Sequence, residues 1–207
     1  MRRPAFLLLF ALLAACAPSA PTPANQAAGA PPPVAEGPPP PAEISLAGIT
    51  NVDRQYYDVT GNSLFEIRRA LNQARPRDPN DGLGVDALSG WYIEWRWPGG
   101  GANGCDLAAA ELRFRARIRM PRLVETAATP AAVRQRWRNY ATALEAHEAR
   151  HIRHAWDNRN LVLAAIRRSS CANADRDAQA VIAQLVQGDV AYDRRTRHGM
   201  LEGAHFP

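Results

Sequence analysis

The sequence predicts an α+β domain: a small antiparallel sheet with one short helix, packed on a long C-terminal pair of antiparallel helices. Three observations carry that expectation. Trp91–Trp97 and Leu112–Met120 alternate apolar and polar residues with the period of two that a half-buried strand requires. From Ala131 to Ser169 there is neither Gly nor Pro, so one helix of about forty residues can run unbroken. A turn near Ser170–Asn173 then leads into a second periodic stretch, Asp175–Thr196, and so short a connection sends it back antiparallel to the first.

The chain opens on an export signal. Arg2 and Arg3 precede the apolar run Phe6–Leu13 and then small residues, too short a run to span a bilayer stably. The junction Leu13-Ala14-Ala15-Cys16 resembles the lipobox of bacterial lipoproteins. That resemblance implies lipidation of Cys16 after removal of residues 1–15, with plain cleavage at a nearby alanine as the alternative. Ala17, rather than an aspartate, follows the cysteine and favours an outer-membrane anchor. Residues 17–42 are rich in Pro and Ala with almost no large apolar side chains, so they read as a tether that could extend up to ~80 Å. One folded domain of residues 43–207 remains.

All 25 positive residues are arginine, and the formal net charge is +5. Without Arg2 and Arg3 the balance falls to about +3, too mild to indicate nucleic-acid binding. With Cys16 assigned to lipid, Cys105 and Cys171 are an even pair in an oxidising compartment, and a disulfide between them is expected.

Within the domain, Gln55–Val59 reads as a strand and Gly61-Asn62 as a turn. Ser63 with Glu66 makes a capping box for a helix from Leu64 to about Ala74, with Leu64, Ile67 and Leu71 at helical spacing. Pro76 and Pro79 forbid continuation, so residues 75–90 should be a loop. The next strand carries Trp91, Ile93, Trp95 and Trp97 on one face, read as core. The one after it sets Leu112, Phe114, Ala116, Ile118 and Met120 against Arg113, Arg115, Arg117 and Arg119. That arginine face reads as solvated, with anionic envelope polymers as the alternative partner.

In the long helix the buried stripe runs Val133, Trp137, Tyr140, Leu144, His147, His151. Residues four apart share a helix face, so His147 and His151 can aim ring nitrogens at one zinc ion. Glu148 then stands where a general base is needed, in the string His147-Glu148-Ala149-Arg150-His151. The bland alternative is a pair of buried histidines satisfied by hydrogen bonds. Catalytic zinc needs a third protein ligand. Reflecting the histidine pair through the turn brings Asp189, Asp193 and His198 into range, because both helices rise ~1.5 Å per residue. His198 is the preferred ligand and Asp193 the alternative, with Tyr192 a candidate to assist the oxyanion. His154 lies ~10 Å along the axis from His147, too far to join a shared ion.

Several of these stretches, Tyr56–Leu64, the Trp-rich strand before Cys105, Trp137 and Tyr140 before the histidine motif, and Tyr192-Asp193 with Thr196, His198 and Gly199, resemble a bacterial family of uncharacterised exported proteins predicted to be zinc-dependent proteases. The resemblance implies a zincin-like catalytic domain and lends no substrate. The function expected is hydrolysis of peptide or protein substrates in the envelope, with Zn²⁺ as cofactor and Glu148 as base. The alternatives are a non-catalytic, lipid-anchored envelope-binding protein and a zinc amidase acting on cell-wall peptides.

Overall fold

The structure is a computed structural model describing residues 46–101 and 104–207. The expected signal segment, Cys16 and the expected 17–42 tether lie outside the described residues. The capping box forms as its spacing requires: Ser63 Oγ accepts the Glu66 amide, and the Glu66 carboxylate accepts the amides of Asn62 and Ser63. It starts α1 (Leu64–Ala74), which buries Ile67 and Leu71 and connects β1 (Val52–Val59) to the loop before β2 (Leu88–Arg96). A short excursion, β3 (Gly99–Gly101) and β4 (Gly104–Cys105), leads into β5 (Glu111–Leu123). The chain ends in α2 (Ala131–Arg168), α3 (Ala174–Thr196) and a 3₁₀ turn at Met200–Glu202.

The main sheet has the order β1-β5-β2 and is mixed, which corrects the expected antiparallel sheet: β2 pairs antiparallel with β5, but β1 pairs parallel with it. Alternation tells which residues face the core and nothing about strand direction. The β2–β5 pairing follows from a local reversal, whereas the direction of β1 depends on where α1 and its loop return the chain. The strand at β2 also begins three residues before the expected Trp91, at Leu88.

Three outward arginines of β5 are paired across the sheet, Arg115 with Glu94, Arg117 with Asp53 and Arg122 with Asp58. Those pairs support the solvated reading of that face. Its other face buries Phe114, Ala116, Ile118 and Met120 against α2, where Phe114 meets Trp156 edge to face at 5.2 Å. Trp137, Tyr140 and Phe206 form a second aromatic knot, which ties the chain terminus to α2. Trp91 and Trp95 are half-buried, and their indole N–H groups donate to Asp189 and Asp175 of α3. They join the sheet to the helix pair.

Cys105 and Cys171 form the expected disulfide, with Cα atoms 5.9 Å apart. It pins the β3–β4 excursion to the α2–α3 turn. Among the described residues no helix is long and apolar enough to cross a membrane.

Candidate metal centre

The middle of α2 is buried on nearly every side, because α3 covers one flank and the sheet another. His147, Glu148 and His151 are 3%, 6% and 8% exposed. Polar groups so placed require partners, and α3 supplies them for both histidines. Asp189 and Asp193 are also four apart, so the two carboxylates repeat along α3 as the two imidazoles do along α2.

His147 Nε2 and His151 Nε2 each lie 3.0 Å from the same oxygen, Oδ1 of Asp193. The opposite ring nitrogens face other carboxylates: His147 Nδ1 is 3.0 Å from Glu202 Oε2, and His151 Nδ1 is 3.3 Å from Asp189 Oδ1. Each imidazole is thus held at Nδ1 while its Nε2 turns toward Asp193. Those partners are themselves anchored. Arg150 donates to Glu202 at 3.0 Å, Tyr192 O–H donates to Glu202 at 2.5 Å, and Trp91 N–H donates to Asp189 at 2.7 Å.

Four carboxylates, Glu148, Asp189, Asp193 and Glu202, share the neighbourhood of two imidazoles, and the field is strongly cation-seeking. Burial alone would lower the His151 pKa, but the hydrogen bonds it donates to Asp189 and Asp193, with the charge of Glu148, outweigh it and raise the value to about 10. Burial likewise works against ionising Asp193, yet His147 and His151 hold its carboxyl below the usual range. Asp189 and Glu202 are also lowered against their burial, by His151 and His154 for the first and by Tyr192 and His147 for the second. A proton and a divalent metal compete for the same Nε2 lone pairs, so a site that attracts one attracts the other.

The donor set fits a divalent ion. The ligand atoms of His147, His151 and Asp193 all lie within 4.8 Å of one another. A tetrahedral zinc bound at ~2.0–2.1 Å places its ligands about 3.3 Å apart, close to the two 3.0 Å separations. The expected alternative ligand Asp193 therefore stands in the cluster, and the preferred ligand His198 does not. The cause is backbone geometry. α3 stops at Thr196, and Arg197, His198 and Gly199 take φ of 54°, 52° and 77°, turning the His198 ring onto the loop before β2. It ends 3.9 Å from Asp193, against Asp78 and Asp81.

Tyr192, expected to assist an oxyanion, is also elsewhere: its ring stacks on His147 with centroids 4.9 Å apart and its hydroxyl lies 3.1 Å from His147 Nδ1. It supports the ring from behind, where a reacting group has no access. Burial, and then Glu202, raise its phenol pKa. Of the two supports, the reflection through the turn brought Asp189 into range without a role, and Glu202 was missed. Asp189 carried a visible signal, the four-residue repeat with Asp193, whereas Glu202 stands beyond the helix on the 3₁₀ turn and had none. His154 does not join the cluster and instead meets Asp189 at 2.9 Å.

The cluster opens into a cavity of about 640 Å³ lined by His147, Glu148, His151 and Asp193, by the start of β2 and by the loop before it. Comparison with known proteins adds a family and no activity. No curated protein and no solved structure matches the chain. Residues 54–199, which include every member of the cluster but Glu202, match a family known only as a bacterial protein of unknown function (DUF922), and the chain belongs to that family.

Proposed function

We propose that this protein is a zinc-dependent peptidase of the bacterial cell envelope. The observation that carries the reading is the convergence of His147 Nε2 and His151 Nε2 on one oxygen of Asp193, 3.0 Å from each, beside Glu148. His147, His151 and Asp193 would hold the metal, three protein ligands being the number that leaves a position open for chemistry. When bound, zinc would polarise the scissile carbonyl and acidify water at the site.

The chain's own groups supply the rest. Glu148 takes a proton from the attacking water and returns it to the leaving amine. Glu202 and Asp189 keep the rings in the tautomer that leaves Nε2 free. Support for a peptide substrate comes from β2, an edge strand whose first residues, Leu88, Ser89 and Gly90, line the cavity. Its free backbone groups suit an extended chain added alongside. The lipid anchor at Cys16 and the envelope address rest on the signal and lipobox of the first sixteen residues.

The test is zinc analysis and turnover of a quenched-fluorescent peptide library by wild type, Glu148→Gln and His147→Ala. Glu148→Gln should keep zinc and lose turnover, and His147→Ala should lose turnover together with the zinc of the His147–His151–Asp193 cluster. Full activity in Glu148→Gln would refute the base. A protein that binds zinc but cleaves nothing, with or without Glu148, would favour the envelope-binding alternative.

A further inference from the structure

The loop between α1 and β2 folds back on itself before it reaches the sheet. The Asp78 amide donates to Leu83 O at 2.8 Å and the Gly82 amide to Asp78 O at 2.9 Å, closing a turn that carries two carboxylates. Both face the histidine that the first cluster leaves out. Asp78 Oδ2 is 3.7 Å from His198 Nδ1 and Asp81 Oδ2 is 3.4 Å from His198 Nε2. The ligand atoms of the three residues lie within 4.8 Å of one another.

The Asp78 side chain is only 6% exposed. Its Oδ1 accepts the Asn80 amide at 2.7 Å, but among the described residues no hydrogen bond reaches Oδ2, which points at His198. Oδ2 faces the cavity that Asp78 lines, and a carboxylate charge on so little-exposed a side chain gains from a nearby cation. A cation held by one ring nitrogen and one oxygen from each carboxylate would draw these ligand atoms, already within 4.8 Å of one another, toward the about 3.3–3.5 Å separations that bonds of ~2.0–2.2 Å require.

We propose that Asp78, Asp81 and His198 form a second divalent-cation site in the same cavity as the His147–His151–Asp193 cluster. An imidazole with two carboxylates suits zinc or another first-row divalent ion; calcium and magnesium prefer all-oxygen shells. The ion would clamp the Asp78–Leu83 turn to the end of α3, and both segments line the cavity that holds Glu148. Asp193 Oδ1 stands between the two sites, 3.0 Å from each Nε2 of the first and 3.9 Å from His198 Nδ1 of the second. The second site does not depend on the peptidase reading, since its residues are separate from those of the first.

The experiment is equilibrium dialysis of the purified full chain against Zn²⁺ alone, followed by metal analysis, with circular dichroism to confirm folding. Wild type should hold two equivalents, and Asp78→Asn, Asp81→Asn and His198→Ala one each. His147→Ala should also keep one, lodged at the second site. Asp81 is 41% exposed, so its substitution tests the site without disturbing the core. A wild type that saturates at one equivalent, unchanged in Asp81→Asn, would overturn the proposal. So would a single equivalent lost in both His147→Ala and His198→Ala, because His198 would then serve the first site.

Discussion

Gly199 lies against the imidazole of His147, fifty-two positions earlier in the chain: a β-carbon there would come within 2.8 Å of the ring's Cγ and 3.1 Å of Nδ1. Its φ of 77° also belongs to the left-handed region that side chains avoid. The glycine that ends the family match is therefore a spacer fitted to the first residue of the histidine motif.

Gly199→Ala should destabilise the fold by about 1–3 kcal/mol, through the backbone and through the displaced His147 ring. Zinc affinity should fall with it. Denaturant unfolding beside a chelator-competition titration measures both; an alanine variant with wild-type affinity would show that the ring has room to spare.

Glu202→Gln and Asp189→Asn each remove the charge that orients one imidazole at Nδ1. Zinc affinity should drop about 10- to 100-fold in each, with secondary structure retained. Tyr192→Phe keeps the stacking on His147 and loses only the hydroxyl, so its deficit should be smaller. Equal affinities across the three variants and wild type would remove the supporting role assigned to these groups.

Asp193→Asn and His198→Ala separate the third ligand from its neighbour. The first should abolish zinc binding at the His147–His151 cluster and all turnover, while the second should leave that equivalent in place. Competition against a zinc-specific dye, read alongside peptide cleavage, reports both effects. The reverse pattern would restore His198 as ligand and dismiss Asp193.

The paired substitution Cys105→Ser with Cys171→Ser should lower stability by about 4 kcal/mol in the chain-entropy model, since the bond spans 66 residues. Zinc affinity of the folded variant should be unaffected, because the bond lies at the α2–α3 turn and not at the cluster. Guanidinium unfolding gives the first quantity; a loss well below 1 kcal/mol would place the constraint elsewhere.

Tyr57 and Tyr140 predict a pH dependence. Burial first, and then the Asp86 charge, raise both phenol pKa values above the ordinary 10. The folded state therefore keeps protons that the unfolded chain releases, and stability is full below about pH 9 and declines as pH rises past 10. Tyr140→Phe should show a shallower decline. Unfolding free energies between about pH 8 and pH 11 test this, and equal slopes would sink it.

Legibility in the sequence followed the range of the interaction. The Ser63–Glu66 capping box, the alternation in Leu112–Met120 and the unbroken run after Pro130 are local, and each element formed within a few residues of its expected bounds. The reflection through the turn found the right part of α3 because helical rise is constant. It failed at His198, where three successive left-handed residues take the chain off the helix axis that the argument assumed. Glu202 and the direction of β1 were illegible for a related reason, since both depend on how irregular segments steer the chain.

By itself the sequence determined the helices, the inward faces of the strands, the pairing of Cys105 with Cys171 and the projection of His147, Glu148 and His151 from a buried helix face. Those features depend on period, propensity and count, which are properties of neighbouring residues. Tertiary structure alone decided that β1 runs parallel to β5, that Asp193 meets both imidazoles while His198 turns to Asp78 and Asp81, and that Tyr192 stands behind His147. Convergence at a point is a relation between distant segments, and a few left-handed dihedrals at the end of α3 are enough to redirect a ligand by the width of a side chain.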